Sequence, residues 1–370
     1  MLLSELSAQS FRNLSPAPVF FGSGVTLIVG ENAQGKTNLL EALAVLCGQR
    51  SFRRAKPAEM ACGGAHFSLS GAWSARGARE ELSVDWQAGV GRRFTRAEKP
   101  ISFREASALA PAVFLAPEDR EILVGSPVSR RRFLDRLVLG LYPAAAEDLL
   151  RYEKVLASRN SLLARGRDIG AASQELETWT EELVRAGTSV RRHRQRALEE
   201  WLQHFETLTS DLGSPYAEIR AAYAAKEQDA EQLRQALERL ARVELARGHT
   251  LAGPHRDDLV WTRRGRALAS DASAGELHRT VMLARLAEWH ALAQARDVKP
   301  LFAVDEFDAG LSSHWVDGFL AALPPAETVL LTTVSDPARW TRFTDNVLEV
   351  RAGSVTGRPL AVAHSRKTMP

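Results

Sequence analysis

Apolar and polar positions follow two distinct patterns along this chain. The first is a short continuous apolar run that opens into a loop and then a helical period. Residues 26–29, Thr-Leu-Ile-Val, form such a run, as a strand buried on both faces does. After the loop 30–35, Leu39, Leu40, Leu43 and Leu46 recur on one side of a helix. Val113-Phe114-Leu115, Leu301-Phe302-Ala303-Val304 and Val329-Leu330-Leu331-Thr332-Thr333 repeat the apolar run, and 346–350 before Gly353 reads as a last strand and turn. Apolar runs separated by helices predict an α/β protein with a parallel sheet and a site at the strand C-termini. The second pattern is alternation. It is loose over 2–11 and clearer at Leu69, Trp73, Leu82, Val84 and Trp86, which predicts a small antiparallel sheet with Gly-rich turns over 67–94.

Past Pro117-Glu118-Asp119 the period becomes helical, over 130–141, 149–163, 175–208 and 229–246, with Gly and Pro in the links at 166–170 and 213–215. Sheet-like alternation returns over 249–269, and a helix is expected from about Ser273 toward Ala293. The helical block is thus inserted between the first and last parts of the parallel sheet. The expected division is a sheet-based lobe of 1–115 plus 295–370 and a mostly helical lobe of 116–294, compact and without room for a long coiled coil.

The loop between the first apolar run and its helix carries the chemistry. Gly30-x-x-x-x-Gly35-Lys36-Thr37 has the spacing of a phosphate-binding loop in the strand–loop–helix setting that motif requires. Backbone N–H groups must converge on phosphate oxygens, so residues without Cβ are needed where the chain turns. The helix N-terminus adds positive dipole. Lys36 is the expected partner of the β- and γ-phosphates and Thr37 a ligand of Mg²⁺. Gly30, Glu31, Asn32, Ala33, Gln34, Gly35, Lys36, Thr37 and Asn38 form the expected nucleoside-triphosphate-binding stretch.

Asp305-Glu306, ending a second apolar run, completes such a site. Asp305 is the expected Mg²⁺ ligand, and Glu306, with Lys36, is an expected catalytic residue that polarises an attacking water. Ser273-Ala274-Gly275-Glu276 opens the late helix. Ser273 can simply cap that helix, yet Ser273 and Gly275 at a helix N-terminus also suit an anion.

Composition adds bounds. A net charge of +3 and a pI near 9.0 permit an anionic partner without demanding one. Two cysteines and no Cys/His cluster argue against a disulfide framework or structural zinc. With no secretory pattern and no membrane-length apolar stretch, a cytoplasmic protein without a membrane partner is expected.

The order of phosphate loop, helical insertion, Ser-x-Gly helix and acidic strand resembles that of the ATP-binding cassette ATPases. This resemblance implies that ATP is sandwiched between Lys36 of one copy and Ser273 of another, in a two-fold homodimer. Within that class, Pro117-Glu118-Asp119-Arg120-Glu121-Ile122-Leu123-Val124-Gly125-Ser126-Pro127-Val128-Ser129-Arg130-Arg131-Arg132-Phe133-Leu134-Asp135 closely resembles the signature of the RecF family. Phe11-Arg12-Asn13, Ser51-Phe52-Arg53 and Gly253-Pro254-His255-Arg256-Asp257-Asp258 match it too, in order. The resemblance implies a bacterial DNA-repair protein that binds duplex and gapped DNA with ATP, dimerises on ATP and hydrolyses it slowly. It also implies that, with RecR, the protein directs RecA onto gaps coated by single-strand binding protein.

Three positions depart from cassette patterns. Glu118 stands where a γ-phosphate-sensing Gln is usual, Ala309-Gly310-Leu311-Ser312 replaces Ser-Glu-Leu-Asp, and Thr332-Thr333 follows a strand where transporters carry a switch His. An ABC transporter subunit is the rival reading, and the last departure disfavours it. Two basic clusters are candidate DNA contacts: Arg50, Arg53 and Arg54 after the first helix, and Arg185, Arg191, Arg192 and Arg194 on the longest one. For 130–132 a salt bridge to Asp135 is as reasonable as DNA, and for Gly253–Asp258 a structural ion pair is the expectation.

Overall fold

The computed structural model describes residues 2–75, 78–165, 174–323 and 328–358. The Gly-rich link at 166–170 lies outside them. Two compact units are present, one within 1–119 and 292–370, the other Arg120–Ala291.

The first unit begins with β1 (Leu2–Gln9), β2 (Val19–Phe20), β3 (Gly24–Val29), α1 (Lys36–Leu46) and α2 (Pro57–Met60). It continues through β4 (His66–Ala75), β5 (Ala78–Gln87), β6 (Gly91–Arg96), β7 (Lys99–Ile101), α3 (Phe103–Leu109) and β8 (Ala112–Leu115). The second unit holds α4 (Glu121–Val124), α5 (Pro127–Leu141), α6 (Ala146–Ala164), α7 (Gln174–Asp211), β9 (Ile219–Ala224), α8 (Ala230–Arg247), β10 (Asp258–Arg263), β11 (Arg266–Ala267) and α9 (Leu268–Asp271). The chain leaves it along α10 (Ala274–Arg296) and ends with β12 (Leu301–Val304), α11 (Ser313–Ala321), β13 (Thr328–Thr333), β14 (Asn346–Arg351) and β15 (Ser354–Arg358).

Two six-stranded sheets build the first unit. One is antiparallel, in the order β2-β1-β4-β5-β6-β7, and the other runs β15-β14-β3-β13-β12-β8, parallel except for the β14–β15 hairpin. The apolar runs read from sequence are the parallel strands, and β8, β12 and β13 are buried at every position. That is what a sheet covered on both faces requires. Between the sheets lies α1, buried nearly all round instead of along the one stripe expected: Leu39, Leu43, Ala42 and Val45 are all 0% exposed. Gly71 on β4 lets the helix approach, since a Cβ there would lie 2.7 Å from Leu46 Cδ2.

The second unit is helical with a small sheet, β11-β10-β9. Its 38-residue helix α7 is packed from end to end, with buried positions from Leu176 to Thr209. Trp201 anchors it, stacking on Phe205 and meeting Phe133 and Trp261 edge-on, while its indole N–H donates to Ala284 O at 2.9 Å. The apolar spacing left out α3 and β9, which are short and carry few apolar residues in any strict period, and α11, a nine-residue helix whose Trp315, Val316, Phe319 and Leu320 share one buried face.

Candidate functional site

Strands β3, β13, β12 and β8 run in parallel and their C-terminal ends carry the polar residues singled out above. After β3 the backbone turns at Gly30, whose φ of +155 places it where a Cβ would lie 2.4 Å from Val350 O. Ala33 at φ +63 and Gly35 at φ +119 keep the loop curled. Gln34 is pinned from the β14–β15 turn: Gly353 N donates to its carbonyl at 2.8 Å and Ala352 N to its side chain at 2.6 Å. The loop is therefore shaped by the fold around it.

The helix that follows begins without help. Gly35 is its N-cap, no side chain caps it, and its first turn holds no acid. Free N–H groups and an uncompensated dipole form an anion site. Lys36 is 5% exposed and its ammonium donates to Gly30 O at 2.7 Å and Glu31 O at 2.8 Å. Burial lowers its pKa, and Asp305 and Glu306 oppose that shift.

Asp305 and Glu306 follow β12. Asp305 is 3% exposed and accepts from the Thr332 hydroxyl at 2.6 Å, while the same hydroxyl accepts Glu306 N–H at 2.8 Å. Glu306 takes a left-handed φ of +49, uncommon for a residue with a side chain. Thr333 donates to both oxygens of Asp308, at 2.8 and 2.9 Å. Thus the two threonines that replace a switch histidine each hold one acid of the acidic loop. Ser312 caps α11, accepting from Trp315 N at 3.4 Å, the local role an aspartate would fill.

Glu118, just past β8, faces this cluster as well. Burial raises its pKa, Arg53 lowers it, and Asp119 and Asp305 raise it. Asn38 ties the neighbourhood together, donating to Asn13 Oδ1 at 2.7 Å and accepting from Arg53 Nη1 at 2.9 Å. Arg53 is thereby attached to the phosphate-loop helix, which the basic-cluster reading did not foresee. Arg12, in left-handed backbone, supports the helix from below with a bidentate pair to the fully buried Glu41, which Ser51 also contacts at 2.5 Å.

Ser273 and Gly275 belong to the start of α10. Ser273 is exposed and forms a capping box with Glu276: its hydroxyl accepts Glu276 N–H at 3.3 Å and its own N–H donates to Glu276 at 2.8 Å. That N–H and the Arg263 guanidinium hold the Glu276 carboxyl down at about 2.

The basic clusters divide. Arg191 and Arg194 are corrected from DNA candidates to structural ion pairs, each 5% exposed. Arg191 binds Asp257 at 2.7–2.8 Å and Glu227 at 2.7 Å, and Arg194 binds Asp135 at 2.7 Å and Pro254 O at 2.8 Å. Asp135 is therefore taken by Arg194 and not by the 130–132 run, where Arg130 instead grips Asp258 with two 2.7 Å bonds. The motif 253–258 is the hub of this network, with Asp257 also accepting from Tyr223 at 2.5 Å. Arg50, Arg54, Arg185 and Arg192 stay exposed, with Arg185 3.2 Å from Glu182.

A phosphate loop and an acidic strand end on one parallel sheet, an antiparallel sheet across the loop's helix and an inserted helical unit define an ATP-binding cassette-type ATPase head. An AAA domain model matches residues 5–82. The DNA replication and repair protein RecF of Myxococcus xanthus is 30% identical, over 97% of this chain and 98% of the relative. That of Anaeromyxobacter is 34% identical over 90% and 92%. The chain belongs to the RecF family. The solved structure of the recombination mediator protein RecF with ATP in the RecFOR pathway superposes with a TM-score of 0.88 at 25% identity, covering 96% of this chain and 97% of that one. An Smc head bound to the C-terminal winged-helix domain of ScpA shares the fold, with a TM-score of 0.54 at 14% identity.

Proposed function

We propose that this protein is an ATP-dependent DNA-binding protein of recombinational repair, in which ATP binding drives a homodimer on DNA and hydrolysis resets it. The observation that carries the reading is the joining of an uncapped helix N-terminus, a buried Lys36 and the Asp305–Glu306 pair in one place, in a RecF-family chain. The residues present fit ATP and Mg²⁺. The loop offers backbone donors, and the Lys36 ammonium rests on carbonyl oxygens that a triphosphate can replace as its partner. Thr37 and Asp305 would hold the metal, which supplies neutralisation of the β- and γ-oxygens.

Within this chain, Lys36 screens phosphate charge, and the Thr332 hydroxyl fixes Asp305 and the backbone of Glu306. Glu306 orients and deprotonates an attacking water as general base, and in this reading hydrolysis is weak and stimulated by DNA. Ser273 and Gly275 close the nucleotide site of the second copy. The partners in this reading are duplex and gapped DNA, RecR, and, downstream, RecA and single-strand binding protein, in the cytoplasm. No helix among the described residues is long and apolar enough to cross a membrane.

Analytical ultracentrifugation with and without ATP and duplex DNA tests the reading. Glu306→Gln is expected to accumulate an ATP-bound dimer, and Ser273→Arg to bind ATP as a monomer. An ATP-independent oligomer unaffected by both substitutions would refute the scheme.

A further inference from the structure

Arg279 stands one helical turn beyond Gly275, on the same face of α10. Its side chain folds back along the helix: Nε donates to Gly275 O at 3.1 Å, and a Cβ at Gly275 would lie 3.7 Å from Nη2. The guanidinium lies over the ring of Tyr216, with Cζ 5.6 Å from the centroid. Tyr216 is 5% exposed and its N–H donates to Gly213 O at 2.9 Å, so the ring is a fixed shelf. The half-buried guanidinium is therefore held in place. Yet no carboxylate pairs with it, and its Nη atoms have no hydrogen-bond acceptor among the described residues.

The charges around it are otherwise matched or loosely placed. Arg263 binds Asp271 at 2.7 Å and Glu276 at 2.8 Å, so two carboxylates share one guanidinium. Arg264 grips Glu218 at 2.5 and 3.0 Å. Arg266, across the β10–β11 hairpin from Arg263, is exposed and held by no hydrogen bond or ion pair among the described residues. A triphosphate that approaches Ser273 also meets the Glu276 carboxylate of the capping box, which repels it. Of these cations, Arg279 is the one both fixed and unmatched. A guanidinium without a counter-ion, turned toward the positive end of its own helix, is unfavourable, and an anion placed there reverses the sign.

We propose that Arg279 acts in trans: when two copies close, its Nη atoms take oxygens of the γ-phosphate held by Lys36 of the second copy. This contact deepens the two-copy reading above and rests on it. In that reading Lys36, Thr37 and Asp305 meet the triphosphate from one copy, while Ser273 and Gly275 bring no positive side chain from the other. Arg279 supplies it, and a guanidinium fork fits two phosphate oxygens at once. Because ADP lacks the γ-phosphate, the same residue lets the dimer distinguish ATP from ADP. The Ser-x-Gly spacing marks only neutral donors, and Arg279 lies beyond it.

Sedimentation of the full chain with Mg²⁺ and either ATP or ADP tests the contact, with ATP affinity measured separately at concentrations below dimer formation. Arg279→Gln keeps a stem over Tyr216 and a donor for Gly275 O. It is expected to leave ATP affinity and melting temperature unchanged. The ATP dimer should weaken about a hundredfold, from about tenfold at each of the two sites of a two-fold dimer. Arg279→Lys, which keeps the charge without the fork, should recover part of the loss. Arg266→Gln should change the dimer by less than about twofold, because an exposed charge is screened. If the wild type and Arg279→Gln dimerise equally well on ATP, the trans contact alone is overturned. Equal losses in Arg279→Gln and Arg266→Gln would reduce it to a diffuse field and overturn it too, as would weaker ATP binding by the Arg279→Gln monomer. A wild type that stays monomeric with ATP overturns the functional reading together with this one.

Discussion

Buried charge around Asp257 and buried charge at the phosphate loop are balanced in opposite ways. Around Asp257, cation and anion are matched: Arg191 and Tyr223 meet Asp257, Arg130 meets Asp258, and Arg194 meets Asp135. A second closed circuit lies nearby in sequence, where Arg159, 1% exposed, binds Glu244, Thr250 and Thr180. At the phosphate loop, by contrast, Lys36 has only backbone carbonyls as hydrogen-bond partners, the helix N-terminus is uncapped, and two residues with side chains, Ala33 and Glu306, sit at positive φ. The first arrangement gives each of its buried arginines a carboxylate, with Arg191 Nη1 left as a buried donor without a partner, and serves stability. The second leaves an ammonium on backbone carbonyls beside an uncapped helix N-terminus, the arrangement that suits an anion.

The largest expected effect probes the closed side. Asp257→Ala leaves the buried Arg191 and the Tyr223 hydroxyl without their shared acceptor and should destabilise the second unit by about 3–5 kcal/mol. Urea unfolding followed by Trp fluorescence measures it, and a loss below about 1 kcal/mol would place Asp257 among ordinary surface ion pairs. Lys36→Ala probes the open side. It should leave unfolding nearly unchanged while weakening ATP at least about 100-fold, on the order of 3 kcal/mol. Calorimetric titration reads this, and ATP affinity within tenfold of wild type would erase the contrast between the two regions.

A pH dependence sharpens the same contrast. His255 belongs to the hub: its Nδ1 lies 2.7 Å from the Tyr152 hydroxyl and its Nε2 3.1 Å from Thr250 O. A carbonyl only accepts, so Nε2 carries the proton and Nδ1 accepts from Tyr152. Burial lowers the His255 pKa from 6.5 to about 4. The folded chain thus resists a proton that the unfolded chain takes up as pH falls through 6.5. The stability of the neutral form is present above that value and is lost progressively down to pH 4, by on the order of 3 kcal/mol. His255→Gln should be less stable at pH 7.5 and lack that extra loss, and parallel wild-type and variant curves between pH 7 and 4 would remove His255 from the account.

How much of this could be read from residues alone follows from the range of the interactions. The phosphate loop, the apolar strands and the acidic strand end are local patterns, and each lies where its spacing indicates. The fate of an arginine is not local. Arg191 and Arg192 are adjacent in one basic run, yet Arg191 is buried against Asp257, 66 residues away, and Arg192 is exposed. Helical period offers one clue, because Arg191 and Arg194 share a face with the buried Val184, Gly187 and Leu198. Arg92 gave no such clue: only the β5–β6 register shows that it faces Trp86 while Arg93 faces Asp85.

The smallest effect isolates the most specific link. Thr332 is 0% exposed, and its hydroxyl both donates to Asp305 and accepts Glu306 N–H. Thr332→Val keeps the branched shape that a parallel strand favours and removes only the hydroxyl. Asp305 then loses a donor, and Glu306 loses the contact that holds its left-handed backbone, a conformation that costs on the order of 1 kcal/mol and persists only where neighbours impose it. Both carboxylates drift, but the phosphate loop keeps its shape, since Gln34, Gly353 and Asn13 hold it from elsewhere. Turnover should therefore fall about tenfold, or about 1.4 kcal/mol, with little change in ATP affinity. The Mg²⁺ concentration for half-maximal activity should rise, because Asp305 is no longer fixed. Thr332→Ser, which restores the hydroxyl without the methyl, should recover most of the loss. Were Val and Ser to behave alike, the strand's packing and not its hydroxyl would be setting the acids, and Asp305 would need no positioning beyond the end of β12.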